Sequence, residues 1–206
     1  QVERMRLALD GLSIGDAFGQ GFFDAATFMH FLPSRQCPPG PWGYTDDTEM
    51  ALSIAEVLED RGTIDQDLLA LIFARRYQVD PHRGYGAGAH ELLRGLIAEK
   101  SWRELNQSLF GGEGSYGNGA AMRIAPLAGY FADANLETVI EQSRLSAEVT
   151  HAHEEGIQGA VAVALAGVWA SRRTSEPARE IFSFVSEFLP ECEVRRGIQQ
   201  AEKIDL

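Results

Sequence analysis

The run IQGAVAVALAGVWA, within residues 154–171, is the most apolar part of the chain and limits the choice of fold more than any other segment. Wound as a helix, it has almost no polar face, so it has to be covered on nearly all sides. It is therefore placed at the centre of a helical bundle. Val2, Met5, Leu9 and Leu12 mark one face of a first helix, which is expected to end near the glycine-rich GDAFGQG. Met50, Ile54, Val57 and Leu58 mark another, closed by Arg61 and Gly62, a usual helix stop. Residues 67–77, 87–99, 120–131, 136–148, 181–189 and 194–204 read as further helices. No stretch shows strand-like alternation or a hairpin turn. The expected class is all-α, with a single domain over residues 1–206.

Charge removes several functions. With a formal net charge of −12, the chain is a poor partner for nucleic acid or an anionic membrane. A small phosphorylated ligand stays admissible where local donors or a bound cation supply positive potential. Cys37 and Cys192 make neither a disulfide framework nor a zinc cluster, which fits a reducing cytoplasm. No spanning apolar segment and no signal-peptide pattern is seen, so the expected location is cytoplasmic.

The connections carry the unusual chemistry. Residues 22–44, with Pro33, Pro38, Pro39 and Pro41, read as one long loop. YTDDTEM, which follows, admits two readings. Asp46 with Glu49 is a capping box at a helix start. One cap, however, leaves the second aspartate unexplained, and Thr45, Asp46 and Asp47 are hard oxygen donors of the kind Mg²⁺ takes. RGYGAG is either a turn after Asp80-Pro81 or a close backbone approach to a ligand. GSYGNGAAMR is either a helix connection capped by Asn118 or an anion cradle of backbone amides, with Tyr116 as a stacking face. His151 and His153 are too close in sequence for a helical zinc pair. His153 reads as a solvated residue at a helix start, while His151 is within reach of a ligand. Asp16, in GLSIGDAFG, sits where the helix dipole disfavours an acid, and a buried hydrogen-bonding role is its leading reading.

Taken in order, GLSIGDAFG, YTDDTEMAL, DPHRGYGAG, GSYGNGAAMRIAPL and RLSAEVTHA resemble the ADP-ribosylglycohydrolase family. The RGYGAG and GSYGNG forms are most similar to its ADP-ribosylserine and O-acetyl-ADP-ribose hydrolase branch. The resemblance implies a compact orthogonal bundle with a pair of Mg²⁺ ions beneath an ADP-ribose cleft. It implies Thr45, Asp46 and Asp47 as metal ligands, and Ser115, Tyr116, Gly117 and Asn118 around the diphosphate and adjacent ribose. Gly86 would line the distal ribose and His151 would meet the phosphates. Asp24 stands where that branch carries a catalytic glutamate. The partner would be ADP-ribose or an ADP-ribosylated protein, and the reaction an O-linked, serine-directed hydrolysis. A non-catalytic ADP-ribose-binding or crystallin-like structural homologue is the alternative. The family's second acidic motif, Gly-Gly-Asp-Thr-Asp-Thr, does not occur after Ala152. The chain is accordingly expected to cover the N-terminal two thirds of such a protein and to lack the other metal ligands. AEKIDL, read as mid-helix, points the same way. The chain would then be a fragment, one of two complementary chains, or a degenerate homologue.

Overall fold

Among the described residues the chain forms eleven α-helices and no strand. The structure is a computed structural model that describes residues 1–172, 175 and 177–204. In chain order the helices are α1 (Val2–Gln20), α2 (Ala25–Ser34), α3 (Asp46–Arg61), α4 (Gln66–Val79), α5 (Ala87–Ile97) and α6 (Trp102–Ser108). They continue with α7 (Ala125–Tyr130), α8 (Leu136–Glu148), α9 (Glu154–Arg172), α10 (Glu180–Phe188) and α11 (Glu193–Ala201).

The apolar run is α9, and it packs against α7, α8, α10 and α11, the central place its composition demands. Ala160, Val161, Ala164, Leu165 and Val168 are buried along it. Gly159 and Gly167 each cost such a helix about 1 kcal/mol relative to alanine. Burying one Val or Leu returns roughly 1.5–3 kcal/mol, so the helix tolerates them. Gly167 also has a steric use, because a Cβ there would lie 2.7 Å from Ala128 Cβ on α7. On its far side α7 meets α1, where a Cβ on Gly129 would lie 2.6 Å from the Arg4 carbonyl oxygen. Two glycines thus let three helix backbones stack closely.

α1 ends at Gln20, within GDAFGQG as expected, and Asp16 on it accepts hydrogen bonds from Thr45 and Thr48. Four expectations about elements are corrected. The loop expected over residues 22–44 contains α2, started by Asp24, whose carboxylate accepts from Thr27 N at 2.8 Å. The helix expected over 120–131 is split: Asn118–Ala120 is a 3₁₀ turn, and α7 begins only at Ala125 with Pro126 in its first turn. Finally, α6 was not expected; its anchor is Trp102, buried and donating to Asp67 Oδ1 at 2.7 Å. At the other terminus α11 stops at Ala201, so AEKIDL is not mid-helix. Residues 205 and 206 of that motif lie outside the described residues. No described helix is long and apolar enough to cross a membrane.

Candidate functional site

The first wall of the site is the start of α3. Thr45 is its N-cap, with Oγ1 3.5 Å from Asp47 N, so Asp46 and Asp47 are the first two helical residues. The expected Asp46–Glu49 capping box is not formed. Glu49 instead accepts from Arg76 Nη1 at 2.9 Å and from the Tyr44 hydroxyl at 3.1 Å. Asp16 on α1 faces the same turn and accepts from Thr45 N (2.8 Å), Thr45 Oγ1 (2.7 Å), Thr48 N (3.2 Å) and Thr48 Oγ1 (2.6 Å). Its hydrogen-bonding role therefore ties α1 to α3 right at the acidic pair.

RGYGAG forms the second wall. Asp46 N donates to the Arg83 carbonyl at 2.8 Å. The Arg83 guanidinium lies 4.1 Å from the Tyr44 ring centroid, donates to the Tyr44 carbonyl and pairs with Asp80. Gly84 has φ +92°, and a Cβ on it would stand 3.4 Å from Asp46 Oδ1, so glycine is required here. Gly86 precedes α5 and is exposed.

GSYGNG forms the third wall, and close backbone approach explains its glycines. A Cβ on Gly114, whose φ is +77°, would lie 2.6 Å from Ala152 Cβ and 2.7 Å from His153 N. Gly119 and Gly156 flank the His151 ring: Cβ atoms there would sit 3.2 Å from Cε1 and 2.8 Å from Cδ2. Ser115 Oγ accepts from Gly117 N at 3.3 Å. Asn118 opens the 3₁₀ turn without a side-chain cap, contrary to the capping reading; its carbonyl accepts from Ala121 N and Met122 N. Tyr116 is exposed, bonded through its hydroxyl to Glu193 and set edge-on to His153, 4.8 Å between ring centroids. It does not line either cavity described next.

Two adjoining cavities run between these walls. One, of about 660 Å³, is lined by Asp16, Gln20, Thr45, Asp46 and Asp47 among others. The second, of about 330 Å³, is lined by Ser115, Gly117, Gly119, Arg123, Thr150 and His151 among others. Asp46, Gly86, Asn118 and Met122 line both, so the two form one cleft. Its ends differ electrostatically. At the acidic end, burial and then the charges of Asp47 and Asp16 push the Asp46 carboxyl up to about 6. Asp47 is raised by burial and by Asp16. At the other end Arg123 is buried without a carboxylate hydrogen-bond partner, and burial draws it down to about 9, still a cation at neutral pH.

The resemblance implies magnesium, and the donor set can be tested against it. Asp46 and Asp47 are hard oxygen donors whose mutual charge a divalent cation would relieve, so they fit. The Thr45 hydroxyl is engaged by Asp16. Among the described residues no group of three or more His, Cys, Asp and Glu side chains could hold a metal ion. The fit is therefore that of part of a ligand set.

The structure brings together Thr45, Asp46, Asp47, Gly86, Ser115, Gly117, Asn118 and His151, and leaves Asp24 and Tyr116 outside the lining. Asp24 is exposed at the start of α2, and the Thr27 backbone amide holds its carboxyl below the usual range. Arg123, Thr150, Gln20 and Phe110 line the cleft without having been singled out. A lone arginine inside the apolar stretch AAMRIAPLAG was the available signal for Arg123.

Fold and site together define an all-helical protein with a two-ended cleft, carboxylates at one end and glycine backbone with a buried cation at the other. The sequence profile of the ADP-ribosylglycohydrolase family matches residues 1–205, and the chain belongs to that family. It is 35% identical over 180 residues to human (Homo sapiens) ADP-ribosylhydrolase ARH3, covering 80% of this chain and 49% of the relative. The Danio rerio ADP-ribosylhydrolase ARH3 is 36% identical over 176 residues, covering 80% and 47%. An uncharacterized protein, YegU, of Escherichia coli (strain K12) is 29% identical over 218 residues, covering 97% of this chain and 61% of its own length. The chain thus spans about half the length of the ADP-ribosylhydrolases it matches.

Proposed function

We propose that this chain supplies the ADP-ribose-binding cleft and one part of the magnesium site of an ADP-ribosyl-acceptor hydrolase acting on O-linked, serine-directed substrates. The observation that carries the reading is the polarity of the cleft. Phosphate oxygens suit the end built from glycine backbone, His151 and the charge of Arg123. Ribose hydroxyls and a cation suit the end built from Asp46 and Asp47. The ARH3 relatives are named ADP-ribosylhydrolases, which supports an ADP-ribosyl substrate but no particular division of the cleft.

In the reaction, a water oxygen bonds to C1″ of the ADP-ribosyl group. The C1″–O bond to serine breaks, and the serine oxygen leaves with a proton. Bound magnesium would supply Lewis-acid orientation of ribose hydroxyls and water. Thr45 and Thr48 fix Asp16, and the Arg83 carbonyl fixes the Asp46 amide, so the carboxylates present a set geometry. Gly84 and Gly86 give the ribose a wall without side chains. Asp24, assigned here as the acid/base carboxylate, must give up its cap to reach the cleft. That capped position favours a second reading, in which the chain binds ADP-ribose without cleaving it.

Calorimetric titration with ADP-ribose and release of ADP-ribose from a serine-modified peptide, each with and without Mg²⁺, separate the readings. Saturable binding with Mg²⁺-dependent release that is lost in Asp46→Asn supports hydrolysis. Binding without release supports the second reading, and absence of both sinks the two.

A further inference from the structure

A chain of three side chains runs behind the phosphate end of the cleft. Arg123, 1% exposed, has its guanidinium 4.7 Å from the Phe73 ring centroid and donates through Nη2 to the Ser146 carbonyl (3.0 Å) and to Thr150 Oγ1 (2.8 Å). Thr150 Oγ1 is in turn 2.7 Å from His151 Nδ1 and 3.5 Å from the Ala147 carbonyl.

The proton inventory of these groups fixes their roles. Arginine only donates, so Thr150 Oγ1 accepts from it and keeps one proton to give. Two acceptors compete for that proton: His151 Nδ1 at 2.7 Å and a carbonyl at 3.5 Å, the limit for a hydrogen bond. The nearer one takes it. Nδ1 is then an acceptor, and the imidazole hydrogen resides on Nε2. Burial and the charge of Arg123 keep the ring from taking a second proton, drawing His151 down to about 3. Nε2 is buried and makes no hydrogen bond of full geometry, the Gly117 backbone is a weak hydrogen-bond partner of the ring, and the ring lines the cavity. A buried donor so weakly satisfied is costly, and a ligand oxygen would recover part of that cost. The opposite tautomer would turn a bare nitrogen lone pair toward the ligand and repel an anion.

We propose that Arg123 and Thr150 are positioning residues that hold His151 as a neutral Nε2–H donor for a diphosphate oxygen of the ligand. The identity of that ligand rests on the ADP-ribose reading above; the tautomer does not.

The test combines nuclear magnetic resonance with calorimetry on the full chain. Long-range ¹H–¹⁵N correlation of histidine-labelled protein at pH 7, with His151 assigned by its loss in His151→Gln, should show protonated Nε2 and bare Nδ1. Thr150→Val, close to isosteric, should disturb that state and weaken ADP-ribose binding by about tenfold, the size of one hydrogen bond to a charged group. Thr150→Ser should restore both, which a merely structural hydroxyl pocket would not require. A wild-type ring protonated on Nδ1, or a Thr150→Val protein with unchanged tautomer and affinity, would overturn the proposal. If the wild type shows the expected tautomer but binds no ADP-ribose, the ligand assignment falls while the three-residue relay stands.

Discussion

Asp24 and Asp46 are both carboxylates at a helix start, yet their surroundings send them in opposite directions. Asp24 is exposed and bonded to the Thr27 amide, which keeps it ionised. Asp46 is buried beside Asp47 and Asp16, which resists ionisation. A general acid at a glycosidic oxygen needs a raised carboxyl, so Asp24 is unsuited while it caps α2. Replacing Asp24 by alanine should lower the melting temperature, whereas asparagine, which keeps the cap, should melt like wild type. If peptide hydrolysis survives in Asp24→Asn, its carboxylate has no acid/base role. His151 makes a second residue-scale prediction. Its folded value near 3 lies below the unfolded value near 6.5, so the unfolded chain binds the extra proton between them. The stability tied to the neutral ring is complete above about pH 6.5 and is lost as pH falls toward 3. Denaturant unfolding at pH 7 and 4.5 should differ through this group by roughly 3 kcal/mol at most, and His151→Gln should flatten that dependence.

At the level of elements, the parts readable from sequence are those whose side chains meet the core. The run forming α9 was legible because nearly all of it is covered, with only Val163 and Ala170 of the run exposed. α2 was not, because Phe28, Met29 and Leu32 on it are exposed and four prolines flank or enter it, so local pattern argued for a loop. The break between residues 121 and 124 was equally hidden, since AAMRIAPLAG is apolar whether helical or kinked. In the site, glycine density announced close approach, but the Arg123–Thr150–His151 contacts depend on α7, α8 and α9 meeting in space. Two glycine substitutions separate these levels. Gly129→Ala forces a Cβ against the Arg4 carbonyl and should cost about 1–3 kcal/mol in unfolding free energy without altering ligand specificity. Gly114→Ala combines positive φ with contacts of 2.6 and 2.7 Å to residues 152 and 153. It should displace the GSYGNG loop and abolish ADP-ribose binding in calorimetry while the far-ultraviolet helix signal persists.

For the whole molecule, the formal net charge of −12 sets how a metal effect must be recognised. Any salt screens self-repulsion in so acidic a chain, so stabilisation by MgCl₂ alone shows nothing specific. A site at Asp46 and Asp47 predicts more than screening. Binding to the folded state alone adds RT ln(1 + [L]/Kd), about 2.7 kcal/mol when Mg²⁺ stands a hundredfold above its Kd. Melting in MgCl₂ should therefore exceed melting in NaCl of equal ionic strength. The excess should vanish in Asp46→Asn and Asp47→Asn, and chelation should remove it from wild type. The two variants themselves should melt no lower than wild type in chelator, because each removes one of the crowded charges around Asp16. Equal melting in the two salts would show that these carboxylates, as held in this chain, do not bind the ion. The acidic end of the cleft would then need donors from a further polypeptide before it could take a metal.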